Sequence, residues 1–423
     1  MEFSERYLRD LGRLGVFDGA IGTQLSSENE AADVRMVDEL NLKKPVAVRE
    51  VHRKYLEAGA DFLTTNTFSS NPARMSAHAK QDNLAVDLSQ AGAKLAREVV
   101  DSSSSSKERQ IWVAGSMGPS GESMVPLGSL DFDSAYRSFS KQAEALQSGG
   151  VDLIIVETME SLREVKAALL AVKDCGLPVV ASLAFSESGS TSYGVSPRAG
   201  AVTLDYLGSE VLSANCGTGP ANYSSIFESY AEVSHKPMLV EPNAGVPRLE
   251  DGESVYEVGA NEFYEELKPI LNNLALVGSC CGSTPAHTSL LAERCSEYAG
   301  YSPSPSLQGN YFCSAREVSP KESNFYELEV DCGRLMSART ELREEGIPLF
   351  KLTNIPDPDE GLESQLGRLF SVIPDVPAGF VTSDAEVLSR CLKSYPGVAP
   401  VVYTSKSSDA EEVCKRLGGL MVG

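Results

Sequence analysis

Eight short runs of β-branched and other apolar residues recur between residues 15 and 298, and each is followed by a longer segment with helical spacing of its apolar residues. This alternation is typical of βα units that build a parallel sheet. Eight such units favour a (β/α)8 TIM barrel, because an open doubly wound sheet usually has fewer strands and a glycine-rich phosphate loop near its start. The predicted strands are Gly15–Ala20, Asp61–Phe68, Gln110–Met117, Asp152–Met159, Pro178–Phe185, Val211–Gly217, Pro237–Gly245 and Leu274–Gly282.

The chain of 423 residues is longer than one hydrophobic core usually supports, so two domains are expected. A segment rich in serine and proline, Tyr301–Gly309, is typical of a linker. After it, shorter strand and helix patterns alternate and predict a smaller α/β domain of unknown role. We therefore predict a barrel domain at residues 1–300, a linker at 301–320 and an α/β domain at 321–423. The strands predicted in this last part are Tyr326–Asp331, Leu349–Ile355, Ala378–Thr382 and Pro400–Thr404, with another beginning at Leu420.

The formal net charge of −22 repels nucleic-acid phosphates and anionic lipid headgroups, so neither nucleic acid nor a membrane surface is an expected partner. No apolar run reaches the roughly 20 residues of a membrane span, and the first residues do not resemble a secretory signal. The nine cysteines form no disulfide-like framework, which favours a reducing compartment. We expect a cytoplasmic protein whose partners are small molecules or other proteins and whose thiols are free to bind metal.

Three cysteines lie where predicted barrel strands end: Cys216 at the sixth strand, and Cys280 and Cys281 at the eighth. The reactive groups of parallel barrels gather at these carboxyl ends. Three thiolates could converge there on a zinc ion and leave its fourth position for a substrate, and Gly282 would let the backbone turn both adjacent cysteines to one side. The same cysteines could instead be small buried residues of the core. Their wide separation in sequence leaves both interpretations open.

Six sequence strings occur in the order and spacing found in the zinc-dependent homocysteine S-methyltransferases. They are DGAIGT, TTNTF, GSTSYG, ANCGTGP, EPNAGVP and GSCCGSTPAH, and they fall between about residues 10 and 298. Within that family the chain most resembles the homocysteine-binding module of cobalamin-dependent methionine synthase. Two departures are mild: Gly278-Ser279 stands where the family has paired glycines, and Gly282-Ser283 where it has Gly-Thr. The resemblance implies a zinc enzyme that moves a methyl group to the thiol of homocysteine to give methionine.

The resemblance also implies which residues form the site. Cys216, Cys280 and Cys281 match the zinc ligands of the family. Asp18 and Glu157 match acidic positions that hold the ammonium group of the amino acid. The remaining predicted substrate-binding residues are Gly19, Ala20 and Thr23, whose backbone amides would suit the carboxylate, together with Asn66, Thr67 and Asn243, the last of them near the metal.

Each of these polar residues also has an ordinary structural interpretation. Asp18 could cap the turn that follows it, and Glu157 could pair with a cation at the barrel mouth. The side chains of Asn66, Thr67 and Asn243 could simply form hydrogen bonds with loop backbone, as such residues usually do. His287 follows the cysteine pair closely, but it lies where a helix begins, and we interpret it as a structural helix residue rather than a metal ligand.

A thiol bound to zinc loses its proton even near neutral pH and becomes a strong nucleophile. The chain after the predicted barrel contains no D-x-H-x-x-G motif, and its about 125 residues cannot hold the pterin-binding barrel, cobalamin module and activation domain of a full cobalamin-dependent methionine synthase. A separate methyl-corrinoid protein is therefore the expected methyl donor. A small onium compound, S-methylmethionine or betaine, is the alternative. Two further hypotheses are a homocysteine- or zinc-binding subunit without turnover, and an unrelated barrel enzyme whose cysteines are merely buried.

Overall fold

The structure is a computed structural model that describes residues 7–8, 11–27, 30–31, 33–79, 82–104, 109–250, 253–302, 304–340, 342, 346–356, 361–405 and 408–422. The first six residues of the predicted barrel domain, residue 303 of the predicted linker and Gly423 of the predicted α/β domain lie outside this range. Within it, the chain forms an eight-stranded parallel barrel followed by a five-stranded parallel sheet.

The eight barrel strands pair in parallel, and the ring closes where the first strand meets the second. Its closing contacts are a bridge between Phe17 and Phe62 and a hydrogen bond of 2.7 Å from the Asp61 backbone N–H to the Val16 carbonyl. The predicted (β/α)8 fold is therefore confirmed. A short antiparallel hairpin interrupts the series before the last barrel strand. The strands are β1 (Gly15–Val16), β2 (Phe62–Thr64), β3 (Trp112–Met117), β4 (Leu153–Met159), β5 (Val179–Leu183), β6 (Val211–Asn215), β7 (Met238–Glu241), the hairpin strands β8 (Arg248–Glu250) and β9 (Glu253–Val255), and β10 (Leu276–Val277).

Helices cover the outside of the barrel, and local sequence sets where they begin and end. Asp131 accepts the N–H of Ser134 at 2.7 Å before one helix, and Gly150 ends that helix at a φ of 93°, which glycine adopts without steric cost. None of the helices in the described part of the chain has the length and apolar character needed to cross a membrane. The helices are α1 (Ile21–Ser27), α2 (Leu40–Lys43), α3 (Pro45–Glu57), α4 (Pro72–Ala79), α5 (Asp82–Ser102), α6 (Phe132–Gly149), α7 (Leu162–Cys175), α8 (Pro197–Tyr206), α9 (Tyr223–Ala231), α10 (Ala260–Leu267) and α11 (Pro285–Arg294). Short 3-10 turns lie at Val37–Glu39, Pro220–Asn222, Leu271–Asn273 and Cys295–Glu297.

Apolar side chains fill the barrel interior at the amino ends of its strands. The Phe62 ring stacks on Phe17 and on Trp112, with ring centroids 4.5 and 4.9 Å apart, and Tyr7 packs edge-on against Trp112 at 5.5 Å. All four side chains are buried, and burial of each large ring contributes about 1.5 to 3 kcal/mol. Because this end is packed, the open cavity of the barrel lies at the carboxyl ends of the strands.

Residues 311–422 form a second α/β unit, which we name the C-terminal unit. Its five parallel strands follow one another in sequence order, in agreement with the α/β pattern of the sequence. Residues 311–320, which the sequence places in the linker, form an antiparallel hairpin, and Phe312 packs against Phe325 with ring centroids 5.7 Å apart. The strands are β11 (Tyr311–Cys313), β12 (Val318–Pro320), β13 (Phe325–Asp331), β14 (Ile347–Thr353), β15 (Gly379–Thr382), β16 (Ala399–Tyr403) and β17 (Gly419–Met421). The helical segments are a 3-10 stretch at Cys332–Thr340, α12 (Leu362–Val372), α13 (Ala385–Ser394) and α14 (Ser408–Leu417).

The C-terminal unit packs against the outside of the barrel at α7 and α8. One continuous cluster of buried apolar side chains includes Leu169 of α7, Leu204 of α8 and Leu392 of α13. The buried Cys313 of β11 adds a contact of 3.2 Å between its Sγ and Thr203 Oγ1 of α8. The barrel and the C-terminal unit therefore share one hydrophobic core.

Candidate metal and substrate site

Three thiols meet at the carboxyl end of the barrel. Cys216 directly follows β6, and Cys280 and Cys281 lie in the turn after β10. Their Sγ atoms all lie within 4.8 Å of one another, and those of Cys280 and Cys281 are 3.9 Å apart. All three side chains are partly exposed and form no disulfide. The structure thus brings together the three cysteines that the sequence singles out.

Unusual backbone conformations allow this convergence. Cys216 has a φ of 57° and Gly217 a φ of 66°, so the chain turns sharply as it leaves β6. A Cβ at position 217 would overlap the carbonyl of Phe185, which restricts the position to glycine. At the other turn, Gly282 has a φ of 79°, and it lets the two adjacent cysteines point to the same place. The Tyr223 hydroxyl secures the first turn by donating to the Cys216 carbonyl at 2.5 Å.

The three thiols influence one another electrostatically. Hydrogen bonds from Cys216 and from Cys280 lower the pKa of Cys281 to about 3. Hydrogen bonding to Cys216 and to Cys281, together with burial, raises the pKa of Cys280 well above its usual value. Three thiolates so close together repel one another, so the simultaneous ionisation of all three is favoured by a cation bound between them.

The donor set fits zinc. Zinc bonded tetrahedrally to sulfur at about 2.3 Å separates its sulfur ligands by about 3.8 Å, and Cys280 and Cys281 already show 3.9 Å. Soft sulfur donors suit zinc better than magnesium or calcium, which prefer oxygen. Three cysteines facing an open cavity also leave a position for a fourth ligand, which is the arrangement of catalytic rather than structural zinc sites.

The thiols form one wall of a cavity of about 480 Å³ at the barrel mouth. This volume suits a small amino acid together with the reacting end of a second molecule. The predicted site residues that line the cavity are Asp18, Gly19, Ala20, Thr23, Asn66, Thr67, Glu157, Cys216, Cys280 and Cys281. Asn243 is not part of this lining: its side chain is buried, and its Oδ1 has no hydrogen-bond partner among the described residues.

Two carboxyl groups, the buried Asp18 and the half-buried Glu157, face the same cavity. Asp18 Oδ2 accepts the backbone N–H of Thr64 at 2.8 Å, and burial raises the pKa of Asp18 to about 8, with the charge of Glu157 adding to the rise. Glu157 accepts the Ser116 hydroxyl at 2.5 Å, and burial raises its pKa to about 7. Neither carboxyl group has a lysine or arginine partner within the described ranges of the chain. A ligand ammonium group would supply the positive charge that this wall lacks.

Two residues of the site were missed at the sequence level. Glu241 ends β7 and lines the cavity, and burial raises its pKa well above the usual value, with the charges of Glu157 and Asp18 adding to the rise. Asn215 ends β6, donates to Glu157 Oε2 at 3.2 Å and points its amide toward Cys280 Sγ at 3.9 Å. Their position could have identified them as site residues. Each is the last residue of a barrel strand, and each lies inside one of the motif strings, ANCGTGP and EPNAGVP.

The remaining predicted residues also hold the walls of the cavity together. The amide of Asn66 donates to the Val37 carbonyl at 3.0 Å, and the Thr67 hydroxyl donates to the Ser116 carbonyl at 2.7 Å. Thr23 Oγ1 accepts the N–H of Gly282 at 3.2 Å and so ties α1 to the thiol turn.

The segment that directly follows β1 packs closely against the turn that contains Cys280 and Cys281. The Ala20 backbone N–H donates to Ser283 Oγ at 3.1 Å. A Cβ at position 19 would lie 2.6 Å from that hydroxyl oxygen and 2.9 Å from the Tyr55 ring, so only glycine fits at Gly19. The segment that carries Asp18 is therefore held against the thiol turn.

His287 lies near the thiols in sequence, but its side chain forms contacts away from them. Its Nδ1 accepts the backbone N–H of Thr284 at 3.2 Å, which forms a capping box at the start of α11. Its Nε2 lies 3.0 Å from the Val258 carbonyl. Both ring nitrogens thus have structural partners, in agreement with the interpretation from the sequence.

A family model described as homocysteine S-methyltransferase matches residues 15–295 of the chain, well over half of its length. The chain therefore belongs to the homocysteine S-methyltransferase family. The matched range begins at β1 and ends just after α11. The family relationship thus covers the whole barrel and the thiol site, and it leaves the C-terminal unit outside.

Two curated methionine synthases resemble this member of the homocysteine S-methyltransferase family. The protein of Mycobacterium tuberculosis (strain ATCC 25618 / H37Rv) is 35% identical over 292 residues, which are 65% of this chain and 24% of that protein. The protein of Mycobacterium leprae (strain TN) is 34% identical over 288 residues, with the same 65% and 24% coverage. The matched part of the chain spans about a quarter of these relatives.

Among solved structures, the metallated form of the homocysteine methyltransferase MmuM from Escherichia coli superposes with a TM-score of 0.56. The two chains are 22% identical, and the superposition covers 68% of this chain and 99% of that one. At this level of identity the likeness shows a shared barrel fold.

Proposed function

We propose that the chain holds zinc through Cys216, Cys280 and Cys281 and transfers a methyl group to the sulfur of homocysteine, giving methionine. The observation that carries this proposal is the convergence of three thiols, within 4.8 Å of one another, on a cavity that also contains buried acids without cations. When bound there, zinc supplies a homocysteine thiol that is deprotonated near neutral pH. The family relationship supports homocysteine as the substrate.

The chain's own residues have separate tasks in this proposal. Asp18 and Glu157 hold the ammonium group of homocysteine. Burial raises the pKa values of both carboxyl groups in the free site. The positive charge of a bound ammonium group lowers these pKa values and so stabilises the ionised carboxylates. Ser116 and Asn215 fix the orientation of Glu157 through hydrogen bonds of 2.5 and 3.2 Å. Backbone amides at Gly19 and Thr23 bind the carboxylate of the substrate, whereas the predicted amide of Ala20 already donates to Ser283 Oγ at 3.1 Å.

The transfer itself is a displacement at carbon. The homocysteine sulfur forms a bond to the methyl carbon while the bond between that carbon and the donor breaks, and the electron pair of that bond leaves with the donor. The packed amino end of the barrel closes the floor of the site, so the donor has to enter from the carboxyl side. The barrel aligns the two reactants and reduces the entropic barrier.

For the methyl donor we propose a separate methyl-corrinoid protein. The support is the resemblance of the motifs to the homocysteine-binding module of cobalamin-dependent methionine synthase, together with the identity of 35% and 34% to two methionine synthases. A small onium donor such as S-methylmethionine or betaine is the second candidate, because the cavity of about 480 Å³ has room for a small donor beside homocysteine. Both donors would deliver the methyl group to the same cavity. They differ in size, because a corrinoid protein must dock at the barrel mouth whereas a small onium compound can enter the cavity.

A donor screen tests the proposal. Zinc-loaded protein and homocysteine are incubated separately with methylcobalamin, S-methylmethionine and betaine, and methionine is measured. We expect methionine with methylcobalamin. Methionine formed only from an onium compound would overturn the corrinoid part of the proposal, and homocysteine binding without product from any donor would indicate a binding subunit.

Cysteine variants test the metal site. We expect Cys280→Ala to lose stoichiometric zinc and methionine synthesis together, because two remaining thiols bind zinc far more weakly than three. Cys175→Ala is the matched control, since Cys175 is a partly exposed thiol on α7 outside the cluster. Zinc is measured by elemental analysis of the purified proteins. Full zinc content in Cys280→Ala would rule out the proposed ligand set.

We place the reaction in the cytoplasm. All nine cysteines of the chain are unpaired in the structure, which suits a reducing compartment. A thiol metal site also depends on such a compartment, because oxidation to disulfides would remove the ligands.

A further inference from the structure

Two loops at the barrel mouth connect the thiol site with the C-terminal unit. The β3 loop comprises residues 118–131 and the β5 loop residues 184–196, and both follow the carboxyl ends of barrel strands. They contact each other through the hydroxyls of Ser123 and Tyr193, 3.3 Å apart. Leu127 and Tyr193 are 68% and 41% exposed, so both loops present apolar side chains to an incoming molecule.

One carboxylate of the C-terminal unit contacts both the end of the β3 loop and Arg163, whose Nε also donates to the Lys393 carbonyl of that unit at 3.0 Å. Glu363, near the start of α12, accepts a hydrogen bond from Arg163 Nη2 at 2.6 Å and one from the Phe132 backbone N–H at 3.3 Å. Arg163 is 8% exposed and also donates through Nη1 to the carbonyl of Val125 in the β3 loop. Glu363 therefore fixes the second half of this loop at both ends.

The β5 loop is held by main-chain contacts to the same unit. The Ser196 backbone N–H donates to the Ala315 carbonyl at 3.0 Å, and its hydroxyl donates to the Arg316 carbonyl at 2.6 Å. At its other end, the loop places the backbone of Phe185 against Gly217, next to Cys216. The β5 loop thus runs directly from the thiol site to the C-terminal unit.

Polar contacts add to the apolar packing of these loops, in which Met124 is buried in the main hydrophobic cluster. A cavity of about 570 Å³ lies between the loops, the start of α7 and the C-terminal unit. Its lining includes Val125 and Leu127 of the β3 loop and Phe370 of α12. Side chains that line a cavity lose packing contacts on that side, so the ion pair of Arg163 with Glu363 contributes to fixing the position of Val125 and its neighbours.

We propose that the C-terminal unit braces the barrel mouth and that Glu363 is a positioning residue, holding the β3 loop in the arrangement that receives the methyl donor. This inference rests on the proposed function, since it assigns the unit a role in that reaction. It assigns the loop to the donor and not to homocysteine, because no residue between 118 and 131 lines the cavity that contains the thiols.

The structure provides a closely matched control for the test. Arg416 of α14 forms a two-pronged ion pair with Asp174 of α7, at 3.1 and 2.9 Å. This pair joins the same two parts of the molecule, but at the opposite end of the same helix and far from the mouth. Arg416→Ala therefore removes an ion pair between barrel and C-terminal unit without touching either loop.

The experiment compares Glu363→Ala, Glu363→Gln and Arg416→Ala in the zinc-loaded full chain. We expect Glu363→Ala to raise the KM for the methyl donor about tenfold, the usual effect of losing a charged hydrogen bond, while the KM for homocysteine and the zinc content stay unchanged. Glu363→Gln keeps an acceptor for Phe132 and should recover part of the loss. Hydrogen exchange of peptides covering residues 118–131 should accelerate in Glu363→Ala and not in Arg416→Ala.

Two results would overturn the inference. One is unchanged exchange of the β3 loop together with an unchanged donor KM in Glu363→Ala. The other is an equal effect of Arg416→Ala, which would reduce Glu363 to a general stabiliser of the interface. If the wild type makes no methionine from any donor, the proposed function fails, and the exchange comparison then decides on its own whether Glu363 holds the loop.

Discussion

Backbone strain is concentrated at the thiol site. Among the described residues other than glycine, three have a positive φ, and two of them, Thr158 at 58° and Cys216 at 57°, line the cavity. Such conformations cost of the order of 1 to 3 kcal/mol each. Thr158 lies in an irregularity of β4 between Val156 and Met159, and Cys216 turns the chain out of β6, and both residues line the cavity. The fold therefore gives up some stability to place these two residues.

The buried carboxyl group of Asp18 predicts an unusual dependence of stability on pH. Its pKa is about 8 in the folded zinc-free chain against 3.8 in a model compound, so the folded protein keeps a proton that the unfolded chain releases. The protonated carboxyl group of Asp18 therefore contributes its full stabilisation of the fold below about pH 4. As the pH rises from about 4 to about 8, the free energy of unfolding falls by at most about 1.4 kcal/mol per pH unit. Asp18→Asn cannot ionise, so we expect this variant to become progressively more stable than the wild type from pH 6 to pH 8.

Urea unfolding of the zinc-free proteins at several pH values measures this difference. Asp101→Asn is a suitable control, because Asp101 is exposed at the end of α5, and it should leave the pH dependence unchanged. The same Asp18→Asn substitution should raise the KM for homocysteine while zinc content remains complete, since it removes a negative charge facing the substrate ammonium. Parallel pH profiles for Asp18→Asn and the wild type would contradict the assignment of a raised pKa.

The sequence predicts most of the cavity, because strand ends and motif residues coincide. It does not decide between Glu241 and Asn243, two residues of the same motif. The predicted strand Pro237–Gly245 is longer than β7, which ends at Glu241. Glu241 is still in the sheet and faces the interior, whereas the chain has left the sheet by Asn243 and turns that side chain into the surrounding protein. Where a strand ends depends on its neighbours, and one sequence does not contain that information.

At the level of secondary structure, α7 is the element that joins the two parts of the molecule. Lys166, in its second turn, is fully buried and donates to the carbonyls of Leu392 and Tyr395 at 3.0 and 2.9 Å. Those carbonyls belong to the end of α13 and the residues after it, where backbone acceptors lack partners within the helix. Burial lowers the pKa of Lys166 to about 7, and the helix dipole at this end favours its charged form. The barrel thus caps a helix of the C-terminal unit.

Removal of this cap should weaken the C-terminal unit. We expect Lys166→Met to lower the free energy of unfolding by about 2 to 4 kcal/mol, because it leaves two buried carbonyls without a donor. Lys173→Met is the matched control on the same helix, since Lys173 donates to the Leu207 carbonyl within the barrel and is less buried. Urea unfolding followed by circular dichroism measures both variants. A loss of similar size in the control would show that α7 is generally sensitive and that the cap has no special role.

The elements differ in how well local sequence defines them. Apolar spacing in the sequence predicts a helix at Ala385–Ser394, and α13 has these bounds because Asp384 accepts the N–H groups of Glu386 and Val387 and starts the helix locally. The predicted strand Gly15–Ala20 is reduced to Gly15–Val16, since from Asp18 onward the chain forms the cavity wall. Local signals thus set helix ends, whereas tertiary contacts set the ends of barrel strands.

On the scale of the whole molecule, the contact between barrel and C-terminal unit was not predictable. Charged positions in a helix usually indicate a solvent-facing side, yet Arg163 and Lys166 are 8% and 0% exposed. Their partners, Glu363 and the carbonyl of Leu392, lie about 200 residues later in the chain. Burial of such cations requires partners with matching geometry, and only the folded chain shows that these exist.

The shared core leads to a prediction about the whole chain. Because one cluster of buried apolar side chains extends from the barrel helices into the C-terminal unit, we expect both parts to unfold together in a single transition. Trp112 is the only tryptophan of the chain and is buried at the floor of the barrel, so its fluorescence reports on the barrel alone, whereas far-ultraviolet circular dichroism reports on all helices. The two signals should give the same midpoint in urea. A transition seen by circular dichroism at lower urea than the Trp112 transition would mean that the C-terminal unit melts first, and a unit that melts independently could not brace the barrel mouth.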